Sequence, residues 1–327
     1  MRAIIWTEYG PPEVLQLMEV EKPVPEDDEV LIRIRAATVT AGDCEQRGLK
    51  LQIWYRLIMR LYVGLRKPER IVILGTELAG EIESIGKDVK RFKVGDQVFA
   101  ATGFTRTGAY AEYLCLPEEP EEGALALKPA NITFEEAAPV PVGGLEALYL
   151  IRKGNIQDGQ KVLINGAAGT IGTFAVQLAG YYGAEVTAVD STHKLDMLRS
   201  IGAEHVIDYT KEDFTDNDQT YDVIIDVAGK GAFSRCLRSL TGNGKYLIAN
   251  PRLSQMVRGR LTSMISMKKV MFGSGSPKTE DLLFLKSLIE AEKIISIIDR
   301  CYPLEQAAEA HWYVETGQKT GNVILTL

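Results

Sequence analysis

The stretch KVLINGAAGTIGTFAVQLAGYYGAEVTAVD, residues 161–190, decides the fold. Lys161 to Asn165 is a short apolar run that reads as a strand. A turn of small residues follows, then a helical stretch to Tyr182 and a second strand ending at Asp190. The turn holds Ala167-x-Gly169-x-x-Gly172, the GxGxxG spacing with Ala in first place. A small first residue permits the tight turn, Gly169 lets the backbone approach a pyrophosphate, and Gly172 lets the helix sit close to the strand. Phosphates would rest on free N–H groups at the positive end of the helix dipole, so Ala167, Gly169, Thr170, Ile171 and Gly172 are the expected nucleotide contacts. A glycine-lined turn that merely packs closely is the competing reading. Asp190, ending the next strand 21 residues after Gly169, favours the nucleotide. The uncharged run 163–184 is long enough to span a bilayer, but five glycines with Asn165 and Gln177 punctuate it, so it reads as strand, turn and helix.

Asp190 supports two readings of the cofactor. A carboxylate at this strand end accepts hydrogen bonds from the ribose hydroxyls of NAD and repels a 2′-phosphate. Ser191, Thr192, His193 and Lys194 follow directly, offering hydroxyls and a cation to the 2′-phosphate of NADP, with Lys194 able to neutralise Asp190. NAD(H) and NADP(H) both stay open. Tyr209 is placed to pack on the adenine end or to serve as surface cover. Ala228, after the fourth strand, and Asn322, at the start of the last, join the expected cofactor contacts.

Working outward, KVLING, EVTAVD, HVIDY, DVIIDVAG, KYLIAN and KVMFGSG alternate with helical segments, which predicts a parallel sheet wrapped by helices on both faces. Residues 1 to 125 are instead dense in short alternating runs such as EVLIRIRAATVT, bounded by Gly, Pro and Asp, and read as mainly β. Within them LQIWYRLIMRLYVGL, residues 51–65, has helical spacing and reads as an inserted helix. Its Trp54, Tyr55, Leu61 and Tyr62 form either a lid for a planar ring, with Tyr62 or Tyr55 as donor, or plain core. A cluster of prolines with the acidic run Glu118–Glu122 suggests a boundary near 125. The late VILTL strand would rejoin the first domain. The expected division is 1–125, 126–293, and 294–327 returning to the first part.

The 327 residues, 46% hydrophobic and 25% charged, exclude disorder, collagen and coiled coil. With 37 Lys+Arg against 44 Asp+Glu the net charge is −7, so neither nucleic acid nor a membrane is an expected partner. Four separated cysteines without a CxxC pair fit a reducing compartment, with cytoplasm the default, and three histidines leave few soft metal ligands. The start MRAIIWTEYGPPEV lacks the order of a signal peptide.

The segment GTELAGEIESIGKDVKRFKVGDQV, residues 75–98, resembles the GxExxGxVxxxGxxVxxFxxGDxV signature of zinc-independent quinone oxidoreductases, the zeta-crystallin-like branch of the medium-chain dehydrogenase/reductase superfamily. GAYAEY at 108–113, AAPVPVGGLEALYLI at 137–151 and GAEHVIDYTKEDF at 202–214 are similar to the same branch. The resemblance implies an α/β protein with a GroES-like β-barrel catalytic domain, built from both chain ends, and a doubly wound Rossmann domain with parallel sheet. It implies a cleft where nicotinamide meets substrate, a homodimer joined through KVMFGSG, and a slight lean to NADP(H). The zinc ligands of related alcohol dehydrogenases are replaced: Thr76 precedes Glu77, no Cys stands near Thr40 or Val142, and no four-Cys lobe lies near 100–115. No metal is expected. Without a Lewis acid to stabilise alkoxide, the expected reaction is hydride addition to a planar conjugated acceptor, a quinone or an α,β-unsaturated carbonyl. A metal-free NAD(P)-linked alcohol dehydrogenase and a non-catalytic dinucleotide-sensing protein are the alternatives.

In VTAGDCEQRG, Thr40 and Asp43 occupy the family's active-site turn and are candidates to orient the nicotinamide ribose or a substrate oxygen. Equally, Asp43 caps a turn and Thr40 is a strand residue. Thr40, Asp43 and Tyr62 are the catalytic candidates. Glu146 stands where many relatives carry Thr, either ordering the carboxamide of the cofactor or lying on the helix surface.

Overall fold

The computed structural model describes residues 1–103, 108–229 and 231–327, with Ile53 and Trp54 described by backbone alone. The described residues form two compact units, 1–142 with 276–292 and 296–327, and 143–275 with 293–295.

The chain opens with β1 (Arg2–Trp6) and β2 (Leu15–Glu19), paired antiparallel. β3 (Glu29–Thr38) leads through helix α1 (Ala41–Gly48) and helix α2 (Ile53–Val63) to β4 (Glu77–Ile85). β5 (Gln97–Ala101), β6 (Tyr113–Pro117) and β7 (Ala124–Leu127) follow. β3 pairs antiparallel with both β4 and β6, and β5 joins β4 to β7. Trp6, Ile32, Ile34, Leu78 and Tyr110 fill the core. The expected inserted helix is α2, which turns Met59 and Val63 inward.

After the short α3 (Phe134–Ala137) and α4 (Leu145–Gly154), the second unit alternates strand and helix. Its elements are β8 (Lys161–Asn165), α5 (Thr170–Tyr181), β9 (Glu185–Asp190), α6 (Leu195–Ser200) and β10 (His205–Asp208). β11 (Tyr221–Asp226), α7 (Phe233–Arg238), β12 (Leu240–Ile248), α8 (Leu253–Ile265) and β13 (Lys269–Phe272) complete it. All strand pairs are parallel, in the order β10-β9-β8-β11-β12-β13. This is the doubly wound order whose switch point, between β8 and β11, is where such sheets bind ligands beyond their carboxyl ends. Val162, Leu163 and Ile164 are fully buried, as a strand covered by helices on both faces requires.

Helix α9 (Thr279–Glu290) packs on β7 and belongs to the first unit, which also runs past the proline-rich stretch to Val142. Pairing and packing, rather than composition, set those bounds. β14 (Ile298–Pro303), α10 (Ala307–Glu315) and β15 (Asn322–Thr326) close the chain, with β15 antiparallel to β3.

Candidate functional site

The turn after β8 brings most of the expected nucleotide contacts together. Gly166 has φ of +82°, and a Cβ there would come within 3.0 Å of Ala228, so the loop after β11 backs this turn. The N–H groups of Val227 and Ala228 donate to the Asn165 carbonyl. A Cβ on Gly172 would lie 2.4 Å from the Gly166 carbonyl oxygen, so that glycine is demanded by the closeness of α5 to the turn. Gly169 differs: a Cβ there would meet nothing nearer than the Gly166 oxygen at 3.6 Å. It is the N-cap of α5 and offers no side chain to the first-turn N–H groups. The protein's own packing does not require glycine here. The lack of a side chain leaves those N–H groups open to an anion.

Asp190 lies under this turn and is 6% exposed. Its Oδ2 accepts the Ala168 N–H at 2.9 Å and its Oδ1 accepts the Ser191 N–H at 2.9 Å. Lys194 Nζ is 3.4 Å from Oδ1, and its side chain is also buried. The carboxylate expected to face a ribose therefore fastens the phosphate turn to the next loop. Beyond it, Asp208 accepts from the Thr192 and Thr210 hydroxyls, which hold its carboxyl well below the usual range, and pairs with Lys211 at 3.0 Å. Tyr209, between them, is 60% exposed. Sequence reasoning missed the companion cluster across the switch point. Asp226 accepts from Asn165 Nδ2 and Gly229 N–H, each at 2.9 Å, and from the Tyr246 hydroxyl at 2.9 Å. A second acidic strand end in DVIIDVAG was the available signal.

Glu146 neither stands free on its helix nor projects as a bare carboxylate. It accepts the Ser274 hydroxyl and the Gly275 N–H at 3.4 Å, tying down the loop after β13, while burial pushes its carboxyl up.

In the first unit, Thr40 is the N-cap of α1 and Asp43 completes a capping box. Asp43 Oδ2 accepts the Thr40 N–H at 2.9 Å and its hydroxyl at 2.5 Å, and Oδ1 accepts the Gly75 N–H at 3.3 Å. Asp43 is 2% exposed, and burial pushes its carboxyl up against the pull of the Thr40 hydrogen bonds. It is an internal brace, which makes Thr40 the half-buried member of the pair. The Tyr110 hydroxyl is buried beside the Asp43 carboxylate, and burial together with that charge pushes the phenol well up. Beside it, His311 Nδ1 lies 3.0 Å from Arg47 Nη1 and 3.3 Å from Cys44 Sγ, and Arg47 also pairs with Glu315 at 2.8 Å. Burial and the guanidinium lower the imidazole pKa to about 3, and burial pushes the Cys44 thiol up to about 12. Residues from three distant segments make this cluster, so no motif announced it.

Tyr62 and Tyr55 pack against the first unit's core, with Arg70 5.9 Å from the Tyr62 ring centroid, whereas Leu61 is 62% exposed. The Trp54 side chain lies outside the described residues. Asn322 is 1% exposed and its Nδ2 donates to the Ile297 carbonyl at 2.9 Å, so its amide holds the start of β15.

A family model for an alcohol dehydrogenase GroES-like domain matches residues 26–123, and one for a zinc-binding dehydrogenase matches 201–325. The second name raises a metal, and the residues do not fit one. Thr40, Thr76 and Val142 offer no soft donor, while Glu77 accepts the Thr38 hydroxyl and, at 2.7 Å, the Val142 N–H. Among the described residues the metal-capable group is Glu185, Glu204 and His205, at the opposite strand ends from Asp190 and Asp208. The NADPH-dependent alkenal/one oxidoreductase, chloroplastic, of Arabidopsis thaliana is 31% identical over 99% of this chain and 79% of its own length. Quinone oxidoreductase of Pseudomonas aeruginosa is 32% identical over 99% of both. The solved structure of the quinone oxidoreductase from Coxiella burnetii superposes with a TM-score of 0.87 at 28% identity, covering 100% of this chain and 99% of that one. Likeness running through both units, with the phosphate turn intact, means that this chain belongs to the quinone oxidoreductase, zeta-crystallin-like, branch of the medium-chain dehydrogenase/reductase superfamily.

Proposed function

We propose that this chain is an NAD(P)H-dependent reductase that delivers hydride to a quinone or an α,β-unsaturated carbonyl without a metal. The observation that carries the reading is Gly169, whose missing side chain leaves room over first-turn N–H groups that the fold itself does not fill. When bound, the dihydronicotinamide supplies the hydride. The chain holds the pyrophosphate on the α5 N-terminus, and Asp190 fixes the turn that carries it. Lys194, Lys211 and the hydroxyl of Ser191 suit a 2′-phosphate, with Tyr209 against the adenine, which favours NADPH over NADH. Thr40, braced by Asp43, orients the nicotinamide ribose or the acceptor oxygen. Charge spread over a conjugated acceptor needs positioning and a hydrogen-bond donor, not a Lewis acid. The names of the Arabidopsis and Pseudomonas relatives point to the same acceptor classes.

The test is steady-state oxidation of NADPH and NADH with a quinone, an enone and, in reverse, an alcohol. Turnover of the conjugated acceptors with NADPH preferred is expected. Tight NADPH binding without turnover would indicate a sensor, and alcohol oxidation alone a dehydrogenase.

A homodimer through β13 completes the reading, since β13 ends the parallel sheet and Val257 and Leu261 of the neighbouring α8 are more than half exposed. A sedimentation mass equal to one chain would refute it. Cysteines that form no disulfide suit a reducing cytoplasm, and no helix among the described residues is long and apolar enough to cross a membrane.

A further inference from the structure

Helix α2 carries two apolar faces. Met59 and Val63 are buried, and Tyr55 and Tyr62 pack beside them on the first unit's core. On the other side Leu57, Ile58 and Leu61, with Leu65 just beyond the helix, are exposed by 60%, 52%, 62% and 62%. Positions 57, 58 and 61 share one face of the helix, and Leu65 follows just past its C-cap, Gly64. Leaving such a stripe in water forfeits burial of four large side chains, which marks a surface meant to be covered.

Charge identifies the cover. Between Glu45 and Glu69 the chain has six cations and no acid, although the whole protein carries −7. Arg47 and Lys50 both pair with Glu315. Arg56, Arg60, Arg66 and Lys67 are exposed and form no ion pair among the described residues, with Arg60 stacked 5.6 Å from the Tyr9 ring. An apolar stripe bordered by unpaired arginines and aromatic rings is the pattern of a helix that lies in the headgroup layer of a membrane. Net charge over 327 residues averages this local excess away.

A second copy of the chain is the weaker occupant. A two-fold contact would set each arginine row near its own image, at a repulsive cost. Helix α8, by contrast, packs on β13 at the end of its sheet, where strand pairing could join two copies.

We propose that the Leu57–Ile58–Leu61–Leu65 stripe and its flanking cations dock the protein reversibly on an anionic bilayer surface. On the quinone-reductase reading, this would bring the enzyme to acceptors dissolved in lipid, but docking itself requires no turnover.

The test is co-sedimentation of the full chain with vesicles of phosphatidylcholine alone or of phosphatidylcholine with phosphatidylglycerol, without acceptor and at low and high salt. Expected is binding at least about tenfold stronger to the anionic vesicles, weakened by salt. A Leu57→Glu/Leu65→Glu variant and an Arg56→Gln/Arg66→Gln variant should each lose about tenfold or more, while circular dichroism and NADPH affinity stay as in the parent. A Val257→Glu variant in α8 should keep vesicle binding. Equal affinity for the two vesicle types would overturn the proposal, as would variants that bind like the parent. A drop in sedimentation mass in the Leu57→Glu/Leu65→Glu variant would reassign the stripe to contact between copies. Loss of turnover with vesicle binding intact would count against the reductase reading and leave docking standing.

Discussion

Asp190 and Asp43 invite direct comparison. One ends a strand and the other opens the helix after one, each is a candidate to meet a ligand, and each is buried and bonded to N–H groups of its own chain. The turn that Asp190 fastens is made of backbone, with open space over Gly169. The turn that Asp43 fastens presents a side chain, Thr40, and its surroundings come from Gly75, Tyr110 and His311 far along the sequence. Backbone recognition is written in one short segment, whereas side-chain recognition is written wherever the fold happens to converge.

Substitutions separate the two cases. Gly172→Val should have the largest effect. Its side chain would strike backbone oxygens of the turn, so nucleotide affinity should fall on the order of 100-fold with loss of stability, read by calorimetric titration and thermal melting. Asp190→Asn comes next, at about tenfold or more for NADPH and NADH alike, because the turn loses its charge-assisted anchor. A gain in NADPH over NADH in that variant would show that Asp190 faces the 2′ position after all. Gly169→Ala should weaken NADPH by about tenfold yet shift stability by less than about 0.5 kcal/mol, since its Cβ meets only ordinary contact. Equal losses in both readouts would mean that this glycine serves packing.

In the first unit's cluster the effect is of another kind, a pH dependence. The His311 pKa is about 3 in the folded protein, below its unfolded value, so its contribution to stability is complete above about pH 6.5 and is lost as pH falls. Between pH 6.5 and 5 this group adds a slope approaching 1.4 kcal/mol per pH unit. Urea melts of the parent and of His311→Gln across that window should differ by this slope. Parallel curves would place the imidazole in contact with solvent.

The same contrast governs what could be read without coordinates. The parallel sheet and its turn were legible because strand period, glycine spacing and a terminal acid all act locally, from Lys161 to Asp190. Helix α2 was legible from its period, but its outward stripe was not, since period alone does not say which of two apolar faces is covered. Asp190 was legible as the acid that ends β9, but its bonds to the Ala168 and Ser191 N–H groups were not, because turn geometry decides them. Arg47, Tyr110 and His311 were illegible: each is an ordinary residue in its own segment, and their meeting is a product of α1, α10 and the loop before β6 packing in one unit.

Hydride transfer itself is tested most directly by following deuterium from NADPH carrying two deuteriums at C4 into an enone acceptor. The account predicts one deuterium at the β-carbon of the product, at an unchanged rate after exhaustive chelation of divalent metals. Product without deuterium, or activity abolished by chelation and restored by zinc, would contradict it.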